Sequence, residues 1–190
     1  MLAITQCPVC KGKTFTPYLS CTDYTVSHET FGIVKCDMCT LLLTSPRPED
    51  FRLGQYYLSD NYISHSNSSA SVIDRIYKLS RALTLRWKTN LIRTNIKTSD
   101  TGSRLVDFGC GTGEFLLKAM QTGFNVTGVE PSDLARSQAI SLTESIVYTE
   151  IDQVSGSFDV ITLWHVLEHV PDLNNIIEQL KQPLAQNGTI

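Results

Sequence analysis

Hydrophobic and polar positions follow three regimes along the chain. Up to about Ser45 the apolar runs are short, and Phe15 to Leu19 and Phe31 to Lys35 read as strands. From Val72 to about Lys97, Ile73, Ile76, Tyr77, Leu83, Trp87 and Leu91 recur at helical spacing, which predicts one face of a long helix or of two. Beyond Ser103, continuous apolar runs alternate with helical pattern. Leu105 to Phe108 predicts a buried strand, Leu116 to Met120 the apolar face of a helix stopped by Gly123, and Asn125 to Val129 a second strand. Ser132 then caps a helix running to about Leu142, Ser145 to Tyr148 gives a third strand, and Phe158 to Leu163 a fourth. Strands alternating with helices predict an α/β fold around a parallel sheet.

The connections divide the chain. Thr44-Ser-Pro-Arg-Pro48 forces an extended path, because each proline restricts itself and the residue before it. A stretch with Tyr56, Tyr57 and Tyr62 follows, and the polar run Ser64 to Ser71 has the composition of a surface linker or of a lid. The expected organisation is therefore a small module over residues 1–45, a helical connector over 46–100 and an α/β domain over 101–190.

Candidate chemistry concentrates where the strands empty into loops. Leu-Val-Asp-Phe-Gly-Cys-Gly-Thr-Gly-Glu, residues 105–114, is a strand, a tight turn and a helix start, with glycines at 109, 111 and 113. Glycine is required where the turn needs backbone angles closed to side chains and where a ligand approaches the main chain. Asp107 precedes the first glycine by two positions, and the second strand ends on Glu130. Both carboxylates are expected at the carboxyl ends of neighbouring strands, where open α/β sheets bind ligands. A carboxylate can accept two hydroxyl hydrogen bonds at once, so Glu130 suits a ribose. A nicotinamide dinucleotide fingerprint fits less well, since the third glycine falls one place early and that fingerprint has no acid at Asp107.

The fourth strand empties into Trp164-His165-Val166-Leu167-Glu168-His169. The zinc-protease pattern places glutamate directly after the first histidine, whereas here it comes three later. These three ordered motifs, over about Ser103 to Ile190, resemble the Rossmann-like class of S-adenosylmethionine-dependent methyltransferases. The resemblance implies that S-adenosylmethionine is held by Asp107, Gly109, Cys110, Gly111, Gly113, Glu130, Pro131 and Trp164. Residues 150–154 are expected to border its adenine, and His165 to lie near the acceptor as a candidate general base. His165 as a structural loop residue is the alternative, and Glu168 and His169 read as residues that orient the floor of the site. The implied helix before the first strand packs on the sheet and shapes the cofactor mouth.

Two CxxC pairs, Cys7-Pro-Val-Cys10 and Cys36-Asp-Met-Cys39, mark the first module. Each presents two sulfurs from one turn, and four thiolates make a closed tetrahedral zinc shell, hence a structural zinc ribbon; two redox pairs or unrelated thiols are the alternative. Cys21 is left over and reads as an ordinary small residue, buried or half-buried. Such ribbons also precede some methyltransferases of small metabolites, so the resemblance extends here. The resulting fold class is α/β: a Rossmann-like methyltransferase sheet, C-terminally incomplete, behind a small zinc-ribbon domain and a helical connector.

Charge and composition narrow the partners. With 16 Lys and Arg against 19 Asp and Glu, the formal charge is -3, which argues against nucleic acid. Arg75, Lys78, Arg81, Arg86, Lys88, Arg93 and Lys97 form a basic face on the predicted helix, which raises an RNA methyltransferase alternative, although such faces are commonly solvated. No apolar run reaches the ~18 residues of a membrane span, and a cytoplasmic enzyme is the default expectation. The reading is a methyltransferase of a small-molecule acceptor, a sugar or another metabolite, with a non-catalytic cofactor-binding scaffold as the alternative. Finally, residues 183–190 read as a helix end and glycine turn leading into a fifth strand, so the fourth strand is expected to be an uncovered edge prone to self-association.

Overall fold

The computed structural model describes residues 1–24, 26–57, 72–96 and 102–190, the side chains of 54, 57 and 72–78 excepted. The predicted linker or lid over 64–71, Tyr62, Lys97 and the side chains of Ile73, Arg75, Ile76, Tyr77 and Lys78 lie outside the described residues. The chain forms two compact units, Met1–Ser69 and Ala70–Ile190.

The first unit is an antiparallel sheet of β1 (Phe15–Thr22), β2 (Thr30–Cys36) and β3 (Leu42–Thr44), in that order. The register of β1 on β2 slips between Pro17 and Leu19, where an edge strand tolerates the missing proline N–H. A 3-10 segment, Asp50–Tyr57, follows.

The second unit carries five parallel strands, β4 (Arg104–Phe108), β5 (Asn125–Val129), β6 (Val147–Tyr148), β7 (Phe158–Thr162) and β8 (Leu184–Thr189), ordered β6-β5-β4-β7-β8. Its helices are α1 (Val72–Asn95), α2 (Glu114–Gln121), α3 (Asp133–Thr143) and α4 (Leu173–Lys181). Alternation along each strand splits the core into two layers. Leu105 and Val160 join Ile92, Phe115, Leu116, Ala119 and Ala139 on the layer of α1, α2 and α3. Val106 and Ile161 join Ile151 and Leu180 on the layer of α4, where Ile176 and Ile177 pack. The order reverses at β4, which sends its two neighbours off in opposite directions and opens a crevice at its carboxyl end.

Two expectations are corrected. The fourth strand is not a bare edge: β7 pairs with β4 on one side and β8 on the other. Gln186-Asn187-Gly188 reads as a turn, yet an irregularity between Phe158 and Val160 absorbs the extra residues. Gly188 permits this, since a Cβ there would sit 2.9 Å from the Phe158 carbonyl oxygen. The stated reason for self-association, an unpaired β7, therefore falls away. The second correction concerns the facing of α1. Leu83, Trp87 and Leu91 are exposed with Leu79, while Thr89 and Ile92 are buried and Leu85 and Ile96 pack on the core. Two apolar ladders satisfy helical spacing on this helix, and periodicity does not choose between them. Arg81, assigned to the solvated basic face, instead pairs with Glu114 on α2.

Leu116 is wholly buried between α2 and the sheet. Leu116→Ala is expected to cost about 2–5 kcal/mol through lost transfer energy and a residual cavity. Urea unfolding should show a lowered midpoint at unchanged slope.

Candidate functional site

The crevice at the end of β4 gathers side chains from four directions. Asp107 is on β4 in the same alternation as Leu105, so it faces the layer of α1 and α2. It lies opposite Thr162 in the β4–β7 register, and the Thr162 hydroxyl donates to its Oδ1 at 2.7 Å. From α1, Lys88 brings its ammonium to 4.5 Å from the centroid of the Trp164 ring. Trp164 meets Phe115 of α2 edge-on, with centroids 5.5 Å apart, and tilts against Trp87. Its indole Nε1–H is buried without a hydrogen-bond partner among the described residues.

Burial pushes the Asp107 carboxyl up to about 7, against the hydrogen bond from Thr162 and the charge of Lys88, while Glu130 adds to the rise. Burial likewise lowers the Lys88 ammonium, with Asp107 opposing. The crevice therefore holds an acid short of positive charge. A cationic ligand entering here would favour its ionised form.

The glycine turn is clamped from below and left open above. Gly109 and Cys110 both donate their amides to the Val129 carbonyl, at 2.8 and 3.1 Å. Glu130 accepts the Gly111 amide on Oε2 and the Ser132 amide on Oε1, each at 2.9 Å. Two amides occupy two of about four acceptor positions on that carboxylate, which leaves lone pairs for a diol. Arg136 of α3 holds the loop from the other side, donating to the carbonyls of Glu130 and Pro131.

The three glycines do different work. All have positive φ. A Cβ on Gly109 would fall 2.5 Å from a Val166 methyl, and one on Gly113 would fall 2.8 Å from the Ala139 backbone, so both are demanded by packing. At Gly111 nothing lies within 4 Å, and this is the side from which a ligand can reach the main chain. Gly113 starts α2 with no side-chain cap, leaving its first amides without a side-chain acceptor.

Cys110 turns its thiol down among Gly128, Leu116 and Val147 rather than toward the opening. Burial, then the charges of Asp107 and Glu130, push that thiol up to about 12, so it stays protonated and inert. Only the Cys110 backbone is left to meet a ligand. Pro131 is exposed at the loop edge beside Glu130. His165 is highly exposed, sits in the left-handed region at φ 59°, and has Nδ1 3.8 Å from Glu168 Oε1. A non-glycine residue held in that region is sparsely populated and is found disproportionately at functional sites. In the segment expected to border adenine, Ile151–Gln153 form a 3-10 turn, and Gln153 accepts from the Thr149 and Glu150 amides.

Lys88 and Thr162 were not singled out by sequence reasoning as members of the crevice. Thr162 was legible in principle, as the one hydroxyl in an apolar strand. Lys88 carried no such mark among six basic residues of the same helix.

The first unit holds a separate cluster, from which Cys21 is absent: expected to be buried or half-buried, it is exposed on β1. Cys7, Cys10, Cys36 and Cys39 are free thiols with all sulfurs within 4.8 Å of one another, Cys7 to Cys39 and Cys10 to Cys36 at 3.5 Å. A tetrahedral ion with ~2.3 Å sulfur bonds would space them about 3.8 Å apart, so the donor set fits a closed four-thiolate shell. The two turns have one design. In each, the first cysteine donates its amide five residues on, to Gly12 or Leu41, and accepts from the left-handed residue four on, Lys11 or Thr40.

Comparison with known proteins gives the family. Residues 75–190 match the family model described as a methyltransferase domain. This chain belongs to that family. A ubiquinone biosynthesis O-methyltransferase of Idiomarina loihiensis is 32% identical over 154 residues, covering 67% of this chain and 63% of the relative. The Actinobacillus pleuropneumoniae enzyme of the same name is 36% identical over 103 residues, covering 47% and 44%. The chain thus spans less than two thirds of the length of either relative. Magnesium protoporphyrin IX methyltransferase of Synechocystis, solved with bound SAM, shares the fold at a TM-score of 0.54 and 17% identity, over 74% of each chain. No helix among the described residues of this methyltransferase-domain protein is long and apolar enough to cross a membrane.

In the ligand-free protein the Asp107 carboxyl keeps its proton to about pH 7, while in the unfolded chain it loses it near the ordinary carboxylate value of 3.8. The unfolded state therefore binds fewer protons between these values, and this group's contribution to stability falls as pH rises through that window. Asp107→Asn removes the effect. The Tm of the variant should gain on that of the parent from pH 4 to pH 7; a constant difference would remove the buried acid from the argument.

Proposed function

We propose that the chain is the cofactor-binding part of an S-adenosylmethionine-dependent methyltransferase acting on a small molecule. The observation that carries this reading is the Glu130 carboxylate, buried at the tip of β5, tied to the Gly111 amide and still holding acceptor capacity beside the one open glycine. The residues present fit the cofactor: a diol acceptor at Glu130, an electron-rich acid at Asp107, an indole N–H at Trp164 without a partner among the described residues, and backbone access at Gly111.

In this reading Glu130 orients the ribose, Asp107 faces the cationic amino-acid end, and Gly109, Gly111 and Gly113 shape the turn beneath. Pro131 and the Cys110 backbone border it, and Trp164 walls the mouth. When bound, S-adenosylmethionine supplies an already activated methyl group on a sulfonium. What remains for the protein is alignment of the acceptor and removal of its proton. His165 takes that second role, since an imidazole can accept a proton from a hydroxyl, amine or carbon acid. The acceptor class is a small metabolite, a sugar or a hydroxyl compound; the family relatives carry names of O-methyltransferases. Zinc is the ion we assign to Cys7, Cys10, Cys36 and Cys39, with a structural role because the shell leaves no open position.

Incubation with methyl-labelled cofactor and a metabolite extract tests the activity. Label in a small molecule is the expected result, and cofactor retention without transfer would indicate a binding scaffold instead. Glu130→Gln is expected to weaken cofactor binding by about 1.5 kcal/mol, roughly tenfold, by calorimetry. His165→Ala should lower turnover while leaving cofactor affinity unchanged.

Metal analysis after purification without added metal should find one zinc per chain, and Cys36→Ser should remove it and lower the stability of the first unit. A metal-free protein with four reduced thiols would sink the zinc assignment.

A further inference from the structure

The first unit contains an open cleft of about 240 Å³ lined by Val26, Ser27, Glu29, Arg52, Gln55 and Tyr56, which neither the methyl-transfer reading nor the cysteine cluster uses. One wall is the turn after β1. The Asp23 carboxylate accepts from the amides of Val26 and Ser27 at 3.2 and 2.7 Å and from the Ser27 hydroxyl at 2.8 Å. The Asp23 amide donates to the Glu29 carbonyl at 2.9 Å, so the turn is closed on itself. The other wall is the 3-10 segment carrying Arg52, Gln55 and Tyr56. Tyr56 fastens the two, donating its hydroxyl to Glu29 Oε2 at 2.8 Å while its ring meets Phe31 edge-on at 5.8 Å. The walls are therefore fixed before any ligand arrives, which lowers the ordering cost of binding.

The lining selects the ligand. Arg52 and Gln55 make no side-chain hydrogen bond or ion pair among the described residues, so their donors are available. Glu29 and Ser27 supply acceptors, and Tyr56 an aromatic edge. An anion drawn by Arg52 would face the Glu29 carboxylate, and a cation drawn by Glu29 would face the guanidinium. An apolar group would strip water from both charges without replacing its hydrogen bonds. A neutral molecule whose hydroxyls both donate and accept satisfies the whole lining. At about 30 Å³ per water, the volume corresponds to about eight waters, one small ring. We propose that this cleft is a binding site for a neutral polyhydroxylated ring compound, held by hydroxyl hydrogen bonds to Glu29, Arg52 and Gln55.

The test is saturation-transfer NMR on the 190-residue chain, without cofactor, with myo-inositol and methyl α-glucoside as probes and with inorganic phosphate and choline as charged controls. Omitting the cofactor makes the result independent of methyl transfer. Saturation of probe ring protons at millimolar concentration is expected, falling about tenfold in affinity in Arg52→Ala and in Gln55→Ala. Neither side chain makes a hydrogen bond or ion pair among the described residues, so both variants should keep a Tm close to the parent's. No saturation of either probe would overturn the proposal, as would signals unchanged in both variants. Preferential binding of phosphate or choline would overturn it equally, by showing an ion site.

Discussion

The crevice depends on one carboxylate. Glu130 stands where β5 ends, and its two oxygens take the amides of Gly111 and Ser132. One group thereby ties the glycine turn after β4 to the loop that starts α3. Charged acceptors of backbone amides are among the stronger hydrogen bonds available to a protein, and this one is shielded from water. Without it, the turn would rest on the shared Val129 carbonyl and on packing at Gly109 and Gly113. The ligand-facing shape of the loop is set before a ligand comes.

Asp107 adds a second constraint of opposite character. Its hydrogen bond from Thr162 and the nearby Lys88 do not fully offset burial, and the carboxyl stays high. Stability is given up at a place where a cationic ligand would restore it. The same group thus opposes folding of the empty protein near neutrality and favours its loaded state.

Much of this was legible in the sequence. Strand, glycine turn and helix follow from Leu105 to Gly113, and the acids at 107 and 130 lie at strand tips as the alternation demands. The cysteine pairs announced their cluster through spacing alone. The facing of α1 was not legible, because its two apolar ladders are equivalent until a sheet is present to choose. Lys88 was hidden for the same reason: a lysine turned inward over Trp164 has the same letter as one in solvent. The edge of the sheet was misread because Asn187-Gly188 has turn composition, and only the Phe158 backbone beside it reveals a strand with an irregularity. Local pattern specifies elements; which face meets which is fixed by contacts distant in the sequence.

The paired cysteine turns carry an implication for how the first unit is assembled. Because Lys11 and Thr40 occupy equivalent left-handed positions, each turn is a self-contained two-sulfur clip. Either clip can capture an ion before the other arrives. Cys10 and Cys36 are 26 residues apart, and bringing such ends together costs on the order of 3 kcal/mol of chain entropy. An ion already seated in one clip turns that search into the capture of a tethered chelator. With zinc in the proposed four-thiolate shell, the β1–β2 pairing that joins the clips would form as a consequence of chelation, a strand pair drawn shut from its cysteine end.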